Sequence, residues 1–389
     1  MTLPMFPTTV IGSWPRFKDV QRAMRDKRAG RISDEEFQAV ADQAVLQILK
    51  WQEEVGIDIV TDGEQRRDNY ISFVAEHLSN VRILSVSELL DYVEDKSSFE
   101  EILGTLDVPA FSMSNPAAIG KISRKKPLAL NDFKFLKQHT DKAVKVTLPG
   151  PYLLTRSMWV EGLSEQEYPT KEDLAIDIVS VLREELEDLI SEGVEFVQFD
   201  EPVLTEVVFT KKNANRTFMC GALTAKADAA EELAFALELI NKVTDSMLGR
   251  GTTIGVHICR GNWSTDDDIL LRGPYFPLIS YLENANVDQL ALEYATPRAG
   301  EIDAIKNIGG KSLGFGVINP RTVKVESVDD IIARVEEVRA ILPDEKILLN
   351  PDCGFGTFAQ RPMNSDEIAC EKLKAMVDAA KKLRETVRV

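Results

Sequence analysis

Apolar, β-branched runs alternate with amphipathic helical stretches from one end of the chain to the other. Eight of these runs read as strands: Thr8 to Gly12, Ile57 to Asp62, Ala143 to Leu148, Phe196 to Asp200, Thr253 to Cys259, Gln289 to Glu293, Leu313 to Ile318 and Ile347 to Asn350. A strand that is apolar at nearly every position, rather than at every second one, is buried on both faces, which is the mark of parallel pairing with helices covering the sheet. Eight such strand and helix units in series predict an α/β fold, a closed (β/α)8 TIM barrel. The helices carry start signals of their own. Ser33-Asp34-Glu35-Glu36 opens a helix through Val55, Ser327 and Asp330 form a capping pair, and Asn364-Ser365-Asp366-Glu367 begins the final helix, each offering a side-chain oxygen to the unpaired N–H groups of a first turn.

The chain has 389 residues, well above the roughly 250 typical of such barrels. The excess is expected in insertions after strands 2 and 4, at about residues 81–139, with the Pro-rich stretch Ser112 to Pro127, and about 203–226, with Lys211-Lys212-Asn213-Ala214-Asn215. No Gly/Ser linker or short repeat divides the sequence, so one elaborated domain over residues 1–389 is expected. With 63 acidic against 46 basic residues the formal charge is −17, which repels a phosphate backbone and argues against nucleic acid or an anionic membrane as partner. No apolar stretch has the length of a membrane span, and Met1-Thr2-Leu3-Pro4 lacks a charged segment followed by an apolar one, so a cytoplasmic location is expected. Four cysteines in so long a chain suit core filling or metal ligation better than a disulfide framework.

Candidate chemistry collects at the ends of the strands. Ser13 follows the first, Glu64 the second, Gly150-Pro151 the third and Asp200-Glu201 the fourth; His257 and Cys259 end the fifth, Glu293 the sixth, Asn319 and Arg321 follow the seventh, and Asp352-Cys353 the eighth. In a parallel barrel these positions share one rim, where barrel enzymes build their sites. A strand repeats every second residue, so His257 and Cys259 point the same way. A lone His-x-Cys is usually structural, but Glu293 and Cys353 at matching strand ends complete a set of N, S, O and S donors that suits zinc. Phe199-Asp200-Glu201-Pro202 and Gly63-Glu64-Gln65-Arg66-Arg67-Asp68 put further carboxylates on that rim, their plainer reading being charged loops. Gly314-Phe315-Gly316 and Gly354-Phe355-Gly356 are too short for a dinucleotide fingerprint. No Ser/His/Asp set exists, because His77, His139 and His257 are the only histidines. Cys370 lies in a helical pattern and reads as packing, and Cys220 has no evident partner.

From Thr8-Thr9-Val10-Ile11-Gly12-Ser13 to Asn350-Pro351-Asp352-Cys353-Gly354 the order of motifs resembles the catalytic half of the cobalamin-independent methionine synthases, within the zinc-dependent thiol alkyltransferases. The resemblance implies a zinc ion held by His257, Cys259, Glu293 and Cys353, with Ile11, Ser13, Glu64 and Asp200 around the amino-acid part of homocysteine. It also implies a methyl donor contacted by Glu206, with Trp159 a loose match to a Trp of the family. The family's proton-donating His has no counterpart in Val317-Ile318-Asn319-Pro320-Arg321, leaving Glu206, Asp352 or water as the acid, and its donor-contacting Arg is replaced near Phe111-Ser112. The implied reaction is methyl transfer to the homocysteine thiol to form methionine, from methyltetrahydrofolate or from a methyl-corrinoid, in the latter case with a corrinoid-carrier protein as a conceivable partner. The alternatives are an alkyltransferase acting on another thiol or an epoxide, and a barrel with a purely structural zinc.

Overall fold

The computed structural model describes residues 3–89, 91–92, 114–209, 228–266 and 270–387. Seven strands form one parallel sheet: β1 (Ile59–Val60), β4 (Ala143–Pro149), β5 (Phe196–Asp200), β6 (Thr253–Ile258), β7 (Gln289–Leu292), β8 (Ser312–Ile318) and β9 (Ile347–Pro351), each hydrogen-bonded to the next in that order. The Thr8-Thr9 segment joins the two edges, with Thr8 bridged to Leu349 and Thr9 to Ile59. Thr9 N donates to the Leu349 carbonyl at 3.0 Å and Ile59 N to the Thr8 carbonyl at 3.0 Å. The sheet thus closes on itself as a barrel.

The first expected strand, Thr8 to Gly12, is regular only at its two bridge residues. Side chains from inside the barrel take the carbonyls that a ladder would use: Lys145 Nζ reaches Val10, Gln198 Nε2 reaches Ile11 at 3.1 Å and Thr61 Oγ1 reaches Gly12 at 3.2 Å. Burial pushes the Lys145 ammonium down to about 7. The second expected strand is trimmed to Ile59–Val60 for a similar reason, since Thr61 N donates to Gln52 Oε1 at 3.1 Å. The other six observed strands begin and end within one residue of their expected bounds.

Three helix starts follow the expected signals. Ser33 and Glu36 form a reciprocal capping box on helix Asp34–Val55. Ser327 Oγ accepts from Asp330 N at 3.1 Å on helix Val328–Arg339, and Ser365 caps helix Asp366–Arg384. The first expected insertion contains an antiparallel pair, β2 (Val81–Ser85) with β3 (Ser114–Ala118), followed by helix Leu130–Lys137. Of the second, helix Val203–Phe209 is described; Lys211 to Asn215, Cys220 and, in the first insertion, Phe111 and Ser112 lie outside the described residues. No helix among the described residues is long and apolar enough to cross a membrane.

Candidate metal centre

Strand register brings the chemistry together before any side chain is considered. Asp200 at the end of β5 is the in-register partner of His257 on β6, and His257 in turn pairs with Ala291 on β7, so Asp200 and His257 lean to the same face of the sheet. The His257 Nδ1 lies 3.2 Å from the Ala291 carbonyl. That contact places the proton on Nδ1 and leaves the Nε2 lone pair for the site, the arrangement of metal-ligating histidines. Nε2 is buried without a hydrogen-bond partner. One ligand atom each from His257, Cys259 and Cys353 lie within 4.8 Å of one another, and all three residues are buried.

The thiols have opposite tendencies. A hydrogen bond from Cys353, against the opposing effect of burial, draws Cys259 down to about 5, and Cys353 is pushed well above the ordinary thiol range by its bond to Cys259 and by burial. One proton leaves this pair readily and the second is held by the charge that the first leaves behind. A divalent cation is the natural counter-charge for removing both, and two sulfurs with an imidazole nitrogen suit zinc. The residues therefore fit the ion implied by the sequence.

A cavity of about 50 Å³ opens beside the trio, lined among others by Ile11, Ser13, Glu64, Asp200, His257, Cys259 and Cys353. Seven of the eleven residues singled out in the sequence thus line one space. Glu64 is buried, with Oε1 accepting from Thr147 Oγ1 at 2.9 Å and Oε2 lying 3.6 Å from Arg16. Asp200 accepts from Gln198 Nε2 at 2.8 Å and is pushed up to about 7 by burial. Glu201, its neighbour, is turned away. Both of its oxygens cap the N-terminus of helix Pro151–Met158, at 2.8 Å from Tyr152 N and 2.9 Å from Leu153 N.

Two glycines make this packing achievable. A Cβ on Gly354 would stand 2.0 Å from Ser13 Oγ, and one on Gly261, whose φ is +96°, would stand 1.8 Å from the Trp263 ring. Tyr70, Asn262, Trp263 and Thr357 also line the cavity. Asn262 Nδ2 ties the loop after β6 to the loop after β9 through the Gly354 carbonyl at 2.6 Å and Thr357 Oγ1 at 2.8 Å. The sequence assigned no role to these four; Asn262 and Trp263 follow the His-x-Cys pair closely, which was the one available signal.

Four expected site residues stand elsewhere. Glu293 is buried at the end of β7, but its oxygens do not lie within 4.8 Å of all three trio atoms; Oε2 pairs with Arg298 at 3.0 Å, with Arg260 at 3.9 Å, and Oε1 is buried without a hydrogen-bond partner. Asp352 is fully buried and does not line the cavity. Its Oδ1 accepts from Tyr294 N at 2.9 Å and Ala295 N at 2.8 Å, with Arg321 3.7 Å from Oδ2, so it braces the ends of β7 and β9. Glu206 is buried on helix Val203–Phe209, away from the cavity lining. Trp159 terminates helix Pro151–Met158, and its Nε1 donates to the Tyr168 carbonyl at 3.0 Å instead of facing the cavity.

A parallel barrel with a soft-donor trio and a small cavity at the carboxyl ends of its strands has the build of a metal-assisted barrel enzyme. Residues 6–382 match the family model described as cobalamin-independent synthase, catalytic domain. The methionine synthase of Pyrococcus abyssi is 28% identical over 386 residues, covering 99% of this chain and 94% of that one, and that of Saccharolobus solfataricus is 28% identical over 389 residues. The 5-methyltetrahydropteroyltriglutamate–homocysteine methyltransferase of Thermotoga petrophila is 29% identical over 390 residues, which is 45% of its length. Among solved structures, a B12-independent methionine synthase from Shewanella, in complex with selenomethionine, superposes with a TM-score of 0.72 at 22% identity and 98% coverage of both chains. The chain belongs to the cobalamin-independent synthase family and is an enzyme of the methyltransferase class.

Proposed function

We propose that this enzyme transfers a methyl group from a reduced folate to the thiol of homocysteine, forming methionine, with zinc held by His257, Cys259 and Cys353 and Glu293 as the fourth donor. The buried trio, with its Nε2 lone pair aimed among two thiols, is the observation that carries the reading. The names of the relatives support homocysteine as acceptor. The family's description as cobalamin-independent supports a folate over the corrinoid that the sequence left open.

Zinc supplies a charge that ionises a thiol whose ordinary pKa is about 8.5. The residues of the chain do the rest. Asp200, whose Oδ1 accepts from Gln198 Nε2, is the carboxylate that takes the substrate ammonium. Glu64 stands behind it, already engaged by Arg16 and Thr147, and adds its field to that of Asp200. Ser13 and Ile11 line the same space and suit the substrate carboxylate and amine. Trp263 and Tyr70 limit water at the reacting sulfur. Positioning of this kind can supply several kcal/mol of the barrier.

A cobalt-substituted sample titrated with homocysteine tests the reading. The ligand-field spectrum is expected to change with one equivalent of homocysteine, and methionine is expected when methyltetrahydrofolate is added to the zinc form. A spectrum indifferent to homocysteine would mean a closed, structural site.

A further inference from the structure

A second cavity, of about 700 Å³, lies outside the barrel wall, between helices Lys18–Arg28 and Asp34–Val55, the loop from Arg66 to His77, and helix Leu130–Lys137. Two arginines of that loop line it. Arg67 is only 4% exposed, its guanidinium lies 4.2 Å over the Phe73 ring, and its Nη1 donates to the Thr147 carbonyl at 3.0 Å and to Thr147 Oγ1 at 3.1 Å. It forms no ion pair with a carboxylate among the described residues, and its Nε is buried without a hydrogen-bond partner. Arg66 is held by Gln38, Asp42 and Asp132, yet its Nη1 is likewise buried and unpartnered.

A guanidinium has donors only, so what both nitrogens lack is an acceptor. A buried guanidinium nitrogen with no acceptor is destabilising by itself and marks a place where a ligand supplies one. The four acids that line the cavity are already committed: Asp68 to Arg28, Glu76 to Lys27, and Asp42 and Asp132 to Arg66. Phe37, Phe73, Leu128 and Phe135 supply apolar walls. The volume falls in the range of about 300 to 1,000 Å³ that holds small organic ligands, and is far larger than an inorganic anion needs.

We propose that this cavity is a binding site for an organic acid, with a carboxylate on Arg67 and Arg66 and an apolar body against the phenylalanines. The site is separate from the metal centre and does not depend on the reaction proposed for it. One layer of side chains divides the two, since Thr147 Oγ1 bonds both Arg67 and Glu64. The same chemistry could come from two sources, the glutamyl end of a folate or a free organic acid.

Calorimetric titration of the zinc-loaded chain with 4-aminobenzoyl-glutamate, an aromatic dicarboxylate, tests the site. Binding is expected, with Arg67→Gln weakening it by roughly tenfold or more and Arg66→Gln by less, because charge-assisted bonds to a carboxylate are the strong ones. The uncharged diamide of the probe is expected not to bind. Thermal unfolding of each variant shows whether it keeps the parent fold, and Arg66→Gln serves if Arg67→Gln does not. Displacement of the probe by glutamylated methyltetrahydrofolate but not by a donor lacking glutamate assigns the folate tail; displacement by neither assigns a free acid, and both results sustain the site. No binding at millimolar probe, affinity unchanged in folded variants, or displacement by homocysteine or the glutamate-free donor overturns it.

Discussion

The two cavities share one loop and differ in what they leave unsatisfied. In the inner one electron-pair donors collect: the Nε2 of His257, buried without a hydrogen-bond partner, beside the sulfurs of Cys259 and Cys353. In the outer one the unmatched atoms are hydrogen-bond donors, Arg66 Nη1 and Arg67 Nε. The inner set calls for a cation and the outer for an anion. The loop achieves both by reversing at Gly63 and Glu64, whose φ values are +65° and +54°. Left-handed backbone costs a residue other than glycine about 1–2 kcal/mol, and here the Asp62 carboxylate steadies it by accepting from Glu64 N at 2.9 Å. The reversal sends Glu64 inward and the two arginines outward. Buried, unpaired atoms thus report the sign of a ligand, and the backbone turn decides which cavity receives which.

Removing sulfur from the inner site should give the largest effect. Cys259→Ser and Cys353→Ser are expected to lose stoichiometric zinc by elemental analysis and, because the metal supplies several kcal/mol, to lose activity on the order of 10³-fold. Metal content equal to the parent would remove the basis for a cation in that cavity. Asp200→Asn should raise KM for homocysteine by roughly 10- to 100-fold, as expected for loss of one partner of a partly buried charge pair. An equal rise in KM for a thiol without an amino group would show that Asp200 does not read the ammonium.

Arg298→Met sharpens the same comparison at Glu293. If Arg298 holds that carboxylate in place beside the trio, competition with a zinc chelator should show affinity weakened by roughly 10- to 100-fold, the usual effect of losing a partner of a ligand. Unchanged affinity would take Glu293 out of the donor set. The smallest effect belongs to His77 at the edge of the outer cavity, where burial, despite a bond to the Pro127 carbonyl, lowers the imidazole to about 4 from an ordinary 6.5. Between those values the unfolded chain binds the proton and the folded one does not, so stability falls as pH drops through that window. The Tm of the parent is expected to decline more steeply than that of His77→Gln there, and identical slopes would count against a buried, neutral His77.

The eight-strand rhythm, the helix starts at Ser33, Ser327 and Ser365, and the clustering of His257, Cys259 and Cys353 at one rim were legible because each depends on local periodicity or on which strand end a residue follows. Position along a strand does not say which way a neighbour's charge will pull. Glu293 is drawn by Arg298 and Arg260, Asp352 by two backbone N–H groups beyond β7, and Trp159 by the Tyr168 carbonyl. The short closure at Thr8-Thr9 was equally hidden, for it depends on Lys145, Gln198 and Thr61 reaching carbonyls from other strands. The outer cavity showed in the sequence only as the charged run from Arg66 to Asp68, since its walls come from residues as far apart as Met24 and Phe135. Local pattern by itself determined the barrel and the rim that two thiols and an imidazole share. Tertiary structure alone decided the pairing of buried charges, because their free energy depends on partners that only the closed fold brings within reach.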